Sequence, residues 1–232
     1  MAWIAGVDGC RGGWIASWCE TERGIVECRM RARFDDVMQA HPDAAVIAMD
    51  MPIGLVAAGE RACDAAARRV LGRRACTIFS TPVLAAVQAE TYALANKLHR
   101  HATGKGLTYQ AYALAPKIRQ VRTAALASPR GRIRECHPEL AFAAIQGGAP
   151  VAVSKTTHAG LFARRKLLER ALGEAFDDAE QQAAGLRGFA TDDPYDALAL
   201  AWTAGRILRG EAGVLAGEPS LDGAALPLEI CY

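Results

Sequence analysis

The amino-acid sequence predicts an α/β fold built as one domain. Three observations support this class. Short apolar runs near the N-terminus are separated by polar links, a further apolar run ends at an aspartate and a proline, and the remainder is largely helical and alanine-rich. The chain has 232 residues, of which 51% are hydrophobic and 22% charged. This composition is typical of a globular protein, and the length favours a single domain over residues 1–232.

The first three strands are predicted to form an antiparallel meander. Residues 3–7 are a short apolar run that ends at Asp8 and a glycine-rich turn. Residues 14–18 and 25–31 are two further strands, joined by a polar link.

A helix and a fourth strand come next. Residues 34–40 are predicted to be helical, with two aspartates in the first turn. Residues 44–49 form a strand that stops at Asp50, because Pro52 and Gly54 cannot continue a hydrogen-bonded ladder.

The remaining elements complete the architecture. Residues 130–136 are predicted to be the last core strand, and residues 226–232 either an edge strand or ordered coil. Further helices are predicted at residues 140–146, 161–176 and 195–208. This element order is that of a ribonuclease H-like fold, a mixed five-stranded sheet flanked by helices. Its helical insertion, at about residues 60–128, lies between strands 4 and 5.

Several classes of protein are disfavoured. The formal charge of +2 does not by itself indicate a partner, and the N-terminus lacks the features of a secretory signal. No uninterrupted apolar run is long enough to span a membrane. Seven scattered cysteines without a C-x-x-C pair predict neither a disulfide framework nor a structural zinc site. A reduced cytosol is therefore the expected location.

Acidic residues distant in sequence are expected to meet at one edge of the sheet. Asp8 and Asp50 end strands that a crossover helix makes parallel, so both emerge at the same edge. Glu135 lies at the corresponding end of the last core strand, and Asp193 and Asp196 share one helix face. Carboxylates so close together repel unless they are protonated or bridged, and Mg²⁺ or Mn²⁺ is the natural bridging cation.

Purely structural roles remain open for each of these acids. Asp8 and Asp50 could be turn residues at strand ends. Asp193, which precedes a proline, could be a helix N-cap with Asp196 in the capping-box position. Glu135 could pair with a neighbouring arginine.

The sequence resembles the DUF429 family, described as predicted nucleases of the ribonuclease H-like fold. The resemblance covers nearly the whole chain. It rests on Gly6-Val-Asp-Gly-Cys-Arg-Gly-Gly-Trp14, Ala48-Met-Asp-Met-Pro-Ile-Gly-Leu55, Cys63-Asp-Ala-Ala-Ala-Arg68, Leu71-Gly-Arg-Arg74, Phe79-Ser-Thr-Pro82, Glu135-Cys-His-Pro-Glu-Leu-Ala-Phe142, Lys155, Gly160, Arg164 and Asp192-Asp-Pro-Tyr-Asp-Ala-Leu-Ala-Leu-Ala-Trp202. The resemblance implies Asp8, Asp50 and either Asp193 or Asp196 as metal ligands, with Glu135 and Glu139 as further acidic candidates.

The insertion carries a strong excess of basic residues. Between Glu90 and Glu135 there is no acidic residue. Basic and aromatic side chains alternate there, namely Lys97, Arg100, Lys105, Lys117, Arg119, Arg122, Arg130, Arg132 and Arg134 with Tyr92, Tyr109, Tyr112, His99 and His101. This pattern is typical of a nucleic-acid surface. Alternatively, it is a solvated face balanced by acids elsewhere in the fold or in the second subunit of a homodimer.

Other polar residues are weaker candidates. Lys117 is the basic residue most readily placed near the metals. Arg68, Arg73 and Arg74 could bind a scissile phosphate or form surface salt bridges. His137 could shuttle protons or be a structural strand-end histidine. Lys155 is a similar but weaker candidate.

The sequence favours a Mg²⁺- or Mn²⁺-dependent nuclease acting on DNA or RNA, with the backbone held by arginines and lysines. One alternative is a phosphotransferase of the actin-like ATPase class, although that class normally has two such domains. Another is a non-catalytic nucleic-acid-binding or interaction module on the same fold.

Overall fold

Five strands form one mixed sheet in the order β3-β2-β1-β4-β5. The computed structural model describes residues 1–24 and 26–232, without the side chains of residues 218 and 219. The sheet strands are β1 (Trp3–Cys10), β2 (Gly13–Glu20), β3 (Val26–Arg31), β4 (Val46–Met49) and β5 (Ile133–Glu135). The first three form the predicted antiparallel meander, and β4 and β5 run parallel to β1. The predicted class is confirmed, and the arrangement is consistent with a ribonuclease H-like fold. Ile25, predicted to begin the third strand, lies outside the described residues.

Helices account for most of the remaining described chain. They are α1 (Phe34–Ala40), α2 (Ala62–Leu71), α3 (Leu84–Gln88), α4 (Tyr92–Thr103), α5 (Tyr109–Ala113), α6 (Ala115–Ala127), α7 (Pro138–Ile145), α8 (His158–Leu172), α9 (Glu174–Ala184) and α10 (Asp193–Arg209), with a 3₁₀ helix at Gly72–Thr77. Helices α2 to α6 lie between β4 and β5 in the chain, where the helical insertion was predicted. Within the described part of the chain, none of the helices has the length and apolar character that a membrane crossing requires.

Two features depart from the predicted elements. The single helix expected at residues 161–176 is divided into α8 and α9, because Gly173 has a positive φ of 58° that an α-helix cannot contain. The C-terminal tail forms β7 (Pro227–Cys231), which pairs with β6 (Val214–Leu221), a strand that was not predicted. Cys231 also forms a parallel bridge to Cys136, so this hairpin extends from the end of β5.

The sheet is covered on both faces, and α10 covers the face that carries the even-numbered residues of β1. Ile4 packs there against Leu200 and Ala204 of α10. The odd-numbered residues of β1 belong instead to the largest apolar core, which includes side chains of α1 and α6. Because side chains alternate along a strand, Asp8 points to the same face as Ile4, toward α10.

Gly6 allows α10 to lie directly on the sheet. A Cβ atom at this position would be 2.0 Å from the carbonyl oxygen of Ala197 and 2.1 Å from the backbone nitrogen of Ala201. Only glycine permits such a close approach of helix and strand backbones. The contact fixes the position of the first turn of α10 over the end of β1.

Candidate functional site

The ends of β1 and β4 place two aspartates side by side. Val7 and Met49 are register partners in the parallel pair of β1 and β4. Asp8 directly follows Val7, and Asp50 directly follows Met49. The backbone N–H of Asp50 donates to the carbonyl of Val7 at 3.1 Å. Neighbouring strands are about 4.8 Å apart, so the two residues are adjacent at this edge. The predicted meeting of Asp8 and Asp50 is thus present in the structure.

Helix α10 supplies two more carboxylates to this edge. Asp193 and Asp196 occupy its first turn, and Asp196 is buried while Asp193 is half-buried. Both raise the pKa of Asp8 by electrostatic repulsion, as does Asp50. We call Asp8, Asp50, Asp193 and Asp196 the acidic cluster.

The predicted turn role of Asp8 is seen in part, whereas the predicted N-cap role of Asp193 and capping-box role of Asp196 are not seen. Asp8 accepts a hydrogen bond from the backbone N–H of Gly9 at 2.8 Å. Asp193 accepts one from the N–H of Ala190 at 2.7 Å, but the N-cap of α10 is Asp192 rather than Asp193. These bonds orient the two side chains and leave other carboxylate oxygens for a further interaction.

Burial and mutual repulsion both act on the acidic cluster. The pKa of Asp8 is raised well above its usual range, first by burial and then by the charges of Asp196, Asp50 and Asp193. Burial also raises the pKa of Asp196, to about 7, against the opposing attraction of Lys155. Asp8 and Asp196 therefore hold a proton more readily than exposed aspartates, because burial and repulsion both oppose their ionisation.

Lys155 is the nearest cation to Asp196. Its ammonium lies 2.5 Å from Asp196 Oδ2 and 2.9 Å from Asp192 Oδ2. Although burial lowers the pKa of Lys155, the two carboxylates raise it further, so the net shift is upward and the lysine remains charged. Asp196 Oδ1, in contrast, is buried and has no hydrogen-bond partner among the described residues.

Lys117 lies on the other side of the acidic cluster. Its Nζ donates to the carbonyls of Cys10 at 2.5 Å and Gly13 at 2.6 Å, and it is 4.9 Å from the centre of the Trp14 ring. Burial lowers the pKa of Lys117, while Cys10, Asp8 and Asp193 oppose that shift. Lys117 therefore lies near Asp8 and Asp193, as was predicted for this lysine.

The carboxylates are near one another but do not yet converge on one point. Over the part of the chain that the structure describes, no three His, Cys, Asp or Glu side chains are grouped so that they could hold a metal ion. One oxygen of Asp196 is instead engaged by Lys155.

Glu135 does not join the acidic cluster. It is the register partner of Met49 rather than of Asp50, so its side chain points to the opposite face of the sheet from Asp8. There it forms a buried network with Arg61, which lies 2.5 Å from both Glu135 Oε1 and Asp64 Oδ1. The N–H of Ile53 also donates to Glu135 at 2.8 Å. The structure therefore contains the alternative in which Glu135 pairs with an arginine.

Glu139 and His137 also have structural partners. Both oxygens of Glu139 are 2.7 Å from Nη2 of the buried Arg164. His137 is the N-cap of α7, and its Nδ1 accepts from the N–H of Glu139 at 3.2 Å. Neither residue is among those that perturb the pKa of Asp8.

The predicted phosphate-binding arginines differ in availability. Arg68 is paired with Glu60, and Arg74 lies 3.4 Å from Glu139. Arg122 is buried and 2.7 Å from Asp222, so it cannot face a substrate. Arg119 donates to the carbonyl of Val87 at 2.6 Å but keeps an exposed side chain, and Arg73 is exposed.

Three contacts, made by four residues, were not predicted from the sequence. Asp192 is a partner of Lys155, and Arg61 pairs with both Glu135 and Asp64. Arg61 is the N-cap of α2 and Asp64 lies in its first turn, and the spacing of three residues was the available signal for their pairing. The third is Gly6, whose contact with α10 has no local sequence signature.

The fold and this site define an α/β protein with a mixed five-stranded sheet and an acidic cluster where β1 and β4 end. The chain matches the model of DUF429, described as a protein of unknown function, over residues 6–220, and it belongs to that family. No curated protein and no solved structure matches it.

Proposed function

We propose that this protein is a divalent-cation-dependent phosphodiesterase that hydrolyses nucleic acid, with Asp8, Asp50, Asp193 and Asp196 as the ligands of Mg²⁺ or Mn²⁺. One observation carries the proposal. Carboxylates from β1, β4 and α10 are held together at one edge of the sheet, where burial and repulsion raise the pKa of Asp8 well above its usual range. Structural roles alone do not account for this concentration of like charge.

The chemistry of the donor set fits such a cation. All the donors are carboxylate oxygens, which hard divalent ions prefer. The oxygen Oδ1 of Asp196 is buried without a partner among the described residues, and such a group is costly unless it binds something. With every group ionised, the cluster and Asp192 carry five negative charges against the two positive charges of Lys117 and Lys155. Cation binding requires side-chain rotation, since the carboxylates do not converge as they stand.

When bound, the cation would act as a Lewis acid and would lower the pKa of a water molecule for attack on phosphorus. The chain's own groups prepare this environment. Lys155 holds Asp196 and Asp192 in place. Lys117 fixes the turn after β1 through Cys10 and Gly13, and it adds positive charge beside Asp8.

The choice of nucleic acid rests on the basic insertion. No acidic residue occurs between Glu90 and Glu135, and Lys97, Arg100 and Lys105 are exposed. Phosphate groups bind to such side chains without sequence preference. We also propose a reducing, cytosolic location, because all seven cysteines are free.

Isothermal titration calorimetry with Mn²⁺ and Mg²⁺ tests the proposal. We expect the unaltered chain to bind the cation, and Asp8→Asn and Asp50→Asn to lose at least tenfold in affinity, since each removes a charged donor. Asp178→Asn is the control, because Asp178 is exposed on α9. Equal cation binding by all four proteins would refute the assignment of the ligands.

Lys155 favours a second candidate, a non-catalytic nucleic-acid-binding module. Its ammonium already supplies a counter-charge to Asp196 and Asp192. In that case no divalent cation would bind, and Asp8→Asn would bind nucleic acid as the unaltered chain does. The same calorimetry distinguishes the two functions.

A further inference from the structure

Three tyrosines lie on the helical insertion, two of them shortly before Lys117 in the sequence. Lys117, on the first turn of α6, contacts the turn after β1. Helix α6 then leads to β5, which runs parallel to β1, so α6 runs from the acidic edge of the sheet toward the opposite edge. The preceding helix α5 is joined to α6 through Leu114 alone. Tyr112 and Tyr109 thus lie five and eight residues before Lys117 in the chain.

The three tyrosines form one aromatic group, which we call the tyrosine cluster. The ring centres of Tyr92, Tyr109 and Tyr112 lie 5.4 to 6.4 Å apart. The Tyr92 hydroxyl donates to the carbonyl of Leu107 at 2.8 Å and that of Tyr112 to the carbonyl of Glu90 at 2.9 Å, so both rings are fixed. Tyr109 rests against them and is 67% exposed. A rigid aromatic base thus presents one open ring to solvent.

Three exposed cations lie on the same segment as the tyrosine cluster, and the acid next to the cluster is Glu90, whose carbonyl holds Tyr112. Lys97, Arg100 and Lys105 are exposed, and none forms an ion pair among the described residues. Arg100 approaches Gly106, next to the Leu107 carbonyl that holds Tyr92. An exposed aromatic ring can stack on an accessible base, and unpaired cations can bind phosphates. Together they suit a nucleic-acid strand whose bases are unpaired.

We propose that the tyrosine cluster binds single-stranded nucleic acid, with a base stacked on Tyr109 and phosphates on Lys97, Arg100 and Lys105. The inference rests on the proposed function, and it makes a single strand the substrate of the acidic cluster. In a duplex the bases are already stacked on one another, so no base offers a free face on which Tyr109 could stack. In a single strand the bases are accessible, and any of the four can stack on an aromatic side chain.

Fluorescence anisotropy with the full chain tests this inference. The probes are a labelled twelve-nucleotide oligo-dT and a labelled DNA duplex of equal length, in EDTA so that nothing is cleaved. We expect preferential binding of oligo-dT, weakened about 5- to 150-fold in Tyr109→Ala and almost unchanged in Tyr109→Phe. Phe162→Ala is the control, since Phe162 is also an exposed aromatic residue, 53% exposed on α8. Lys105→Gln should reduce the salt dependence of binding to both probes.

The outcomes separate the two proposals. Equal binding of Tyr109→Ala and the unaltered chain to oligo-dT would overturn the inference, and so would equal affinity for both probes. Loss of oligo-dT binding in Tyr109→Ala, in a chain that binds no divalent cation, would support the tyrosine cluster and refute the phosphodiesterase.

Discussion

At the scale of single residues, the central question is which cation neutralises Asp196. Lys155 is 2.5 Å from one oxygen of this buried carboxylate, and the other oxygen has no hydrogen-bond partner among the described residues. Burial raises the pKa of Asp196 to about 7 despite the lysine. One ammonium therefore compensates the site only in part, and a divalent cation would complete the compensation.

Removing the ammonium should make the fold depend on divalent cation. We expect Lys155→Met to lower the free energy of unfolding by about 1–3 kcal/mol, because it removes a partly exposed ammonium and leaves the buried Asp196 and the half-buried Asp192 unpaired. Excess Mg²⁺ should then raise the thermal midpoint of the variant more than that of the unaltered chain. Thermal unfolding with and without Mg²⁺ measures both effects.

Lys166→Met is the matched control for this variant. Lys166 is paired with Glu169 at 2.7 Å, but both side chains are exposed, so the effect should stay below about 1 kcal/mol and should not respond to Mg²⁺. If Mg²⁺ also had no effect on the stability of Lys155→Met, the result would favour the non-catalytic nucleic-acid-binding module.

Gly6 decides whether α10 can bring its aspartates to the sheet. In Gly6→Ala, the new Cβ would lie 2.0 Å from the Ala197 carbonyl oxygen, so helix and strand must separate. We expect a loss of more than about 3 kcal/mol in the free energy of unfolding, measured by urea titration, because backbone cannot yield as a side chain does. Gly223→Ala, with no atom near its new Cβ, should be almost neutral. Equal stability of the two variants would contradict the described packing of α10.

At the scale of secondary-structure elements, the register of β4 against β5 separates two acidic groups. Asp50 follows Met49, whose partner is Glu135, so Glu135 is one residue earlier and on the other face. The cluster of β1, β4 and α10 is therefore distinct from the buried network of Glu135, Arg61 and Asp64.

Glu135→Gln distinguishes these groups experimentally. We expect a loss of about 2–4 kcal/mol in the free energy of unfolding, because Arg61 loses a buried partner, with cation affinity unchanged. Asp50→Asn should show the opposite pattern, with reduced cation affinity and little loss of stability. Chemical denaturation and calorimetry on both variants measure this contrast. If Glu135→Gln weakened cation binding as much as Asp50→Asn, Glu135 would belong to the cation site.

At the scale of the whole molecule, the sequence predicted the sheet and its acidic edge better than the C-terminal strand pairing and the ion partners of the acidic residues. The meander, α1, β4 and the insertion follow local periodicity and turn residues, which short segments encode. Asp8 and Asp50 meet because parallel strands end at a common edge, which follows from topology. Strand β6 and its pairing with β7 were missed because that pairing is decided by packing on α2 and β5.

The ion partners were beyond sequence reasoning for a related reason. Strand β5 is only three residues long, so neither its register nor the face of Glu135 could be fixed from alternation. Lys155 and Asp196 are 41 residues apart, and their contact depends on how the chain between them folds. Charge patterns identify candidates, but the geometry of distant segments assigns their partners.

The most direct test of the account is a cleavage assay. It compares the unaltered chain with Asp8→Asn and Asp50→Asn on single- and double-stranded DNA, RNA, hybrid and branched substrates, with Mg²⁺ or Mn²⁺. The account predicts cation-dependent cutting, strongest on single strands, that falls at least about 100-fold in both variants because each removes a metal ligand. Cutting that both variants retain, or no cutting of any substrate by the unaltered chain, would contradict it.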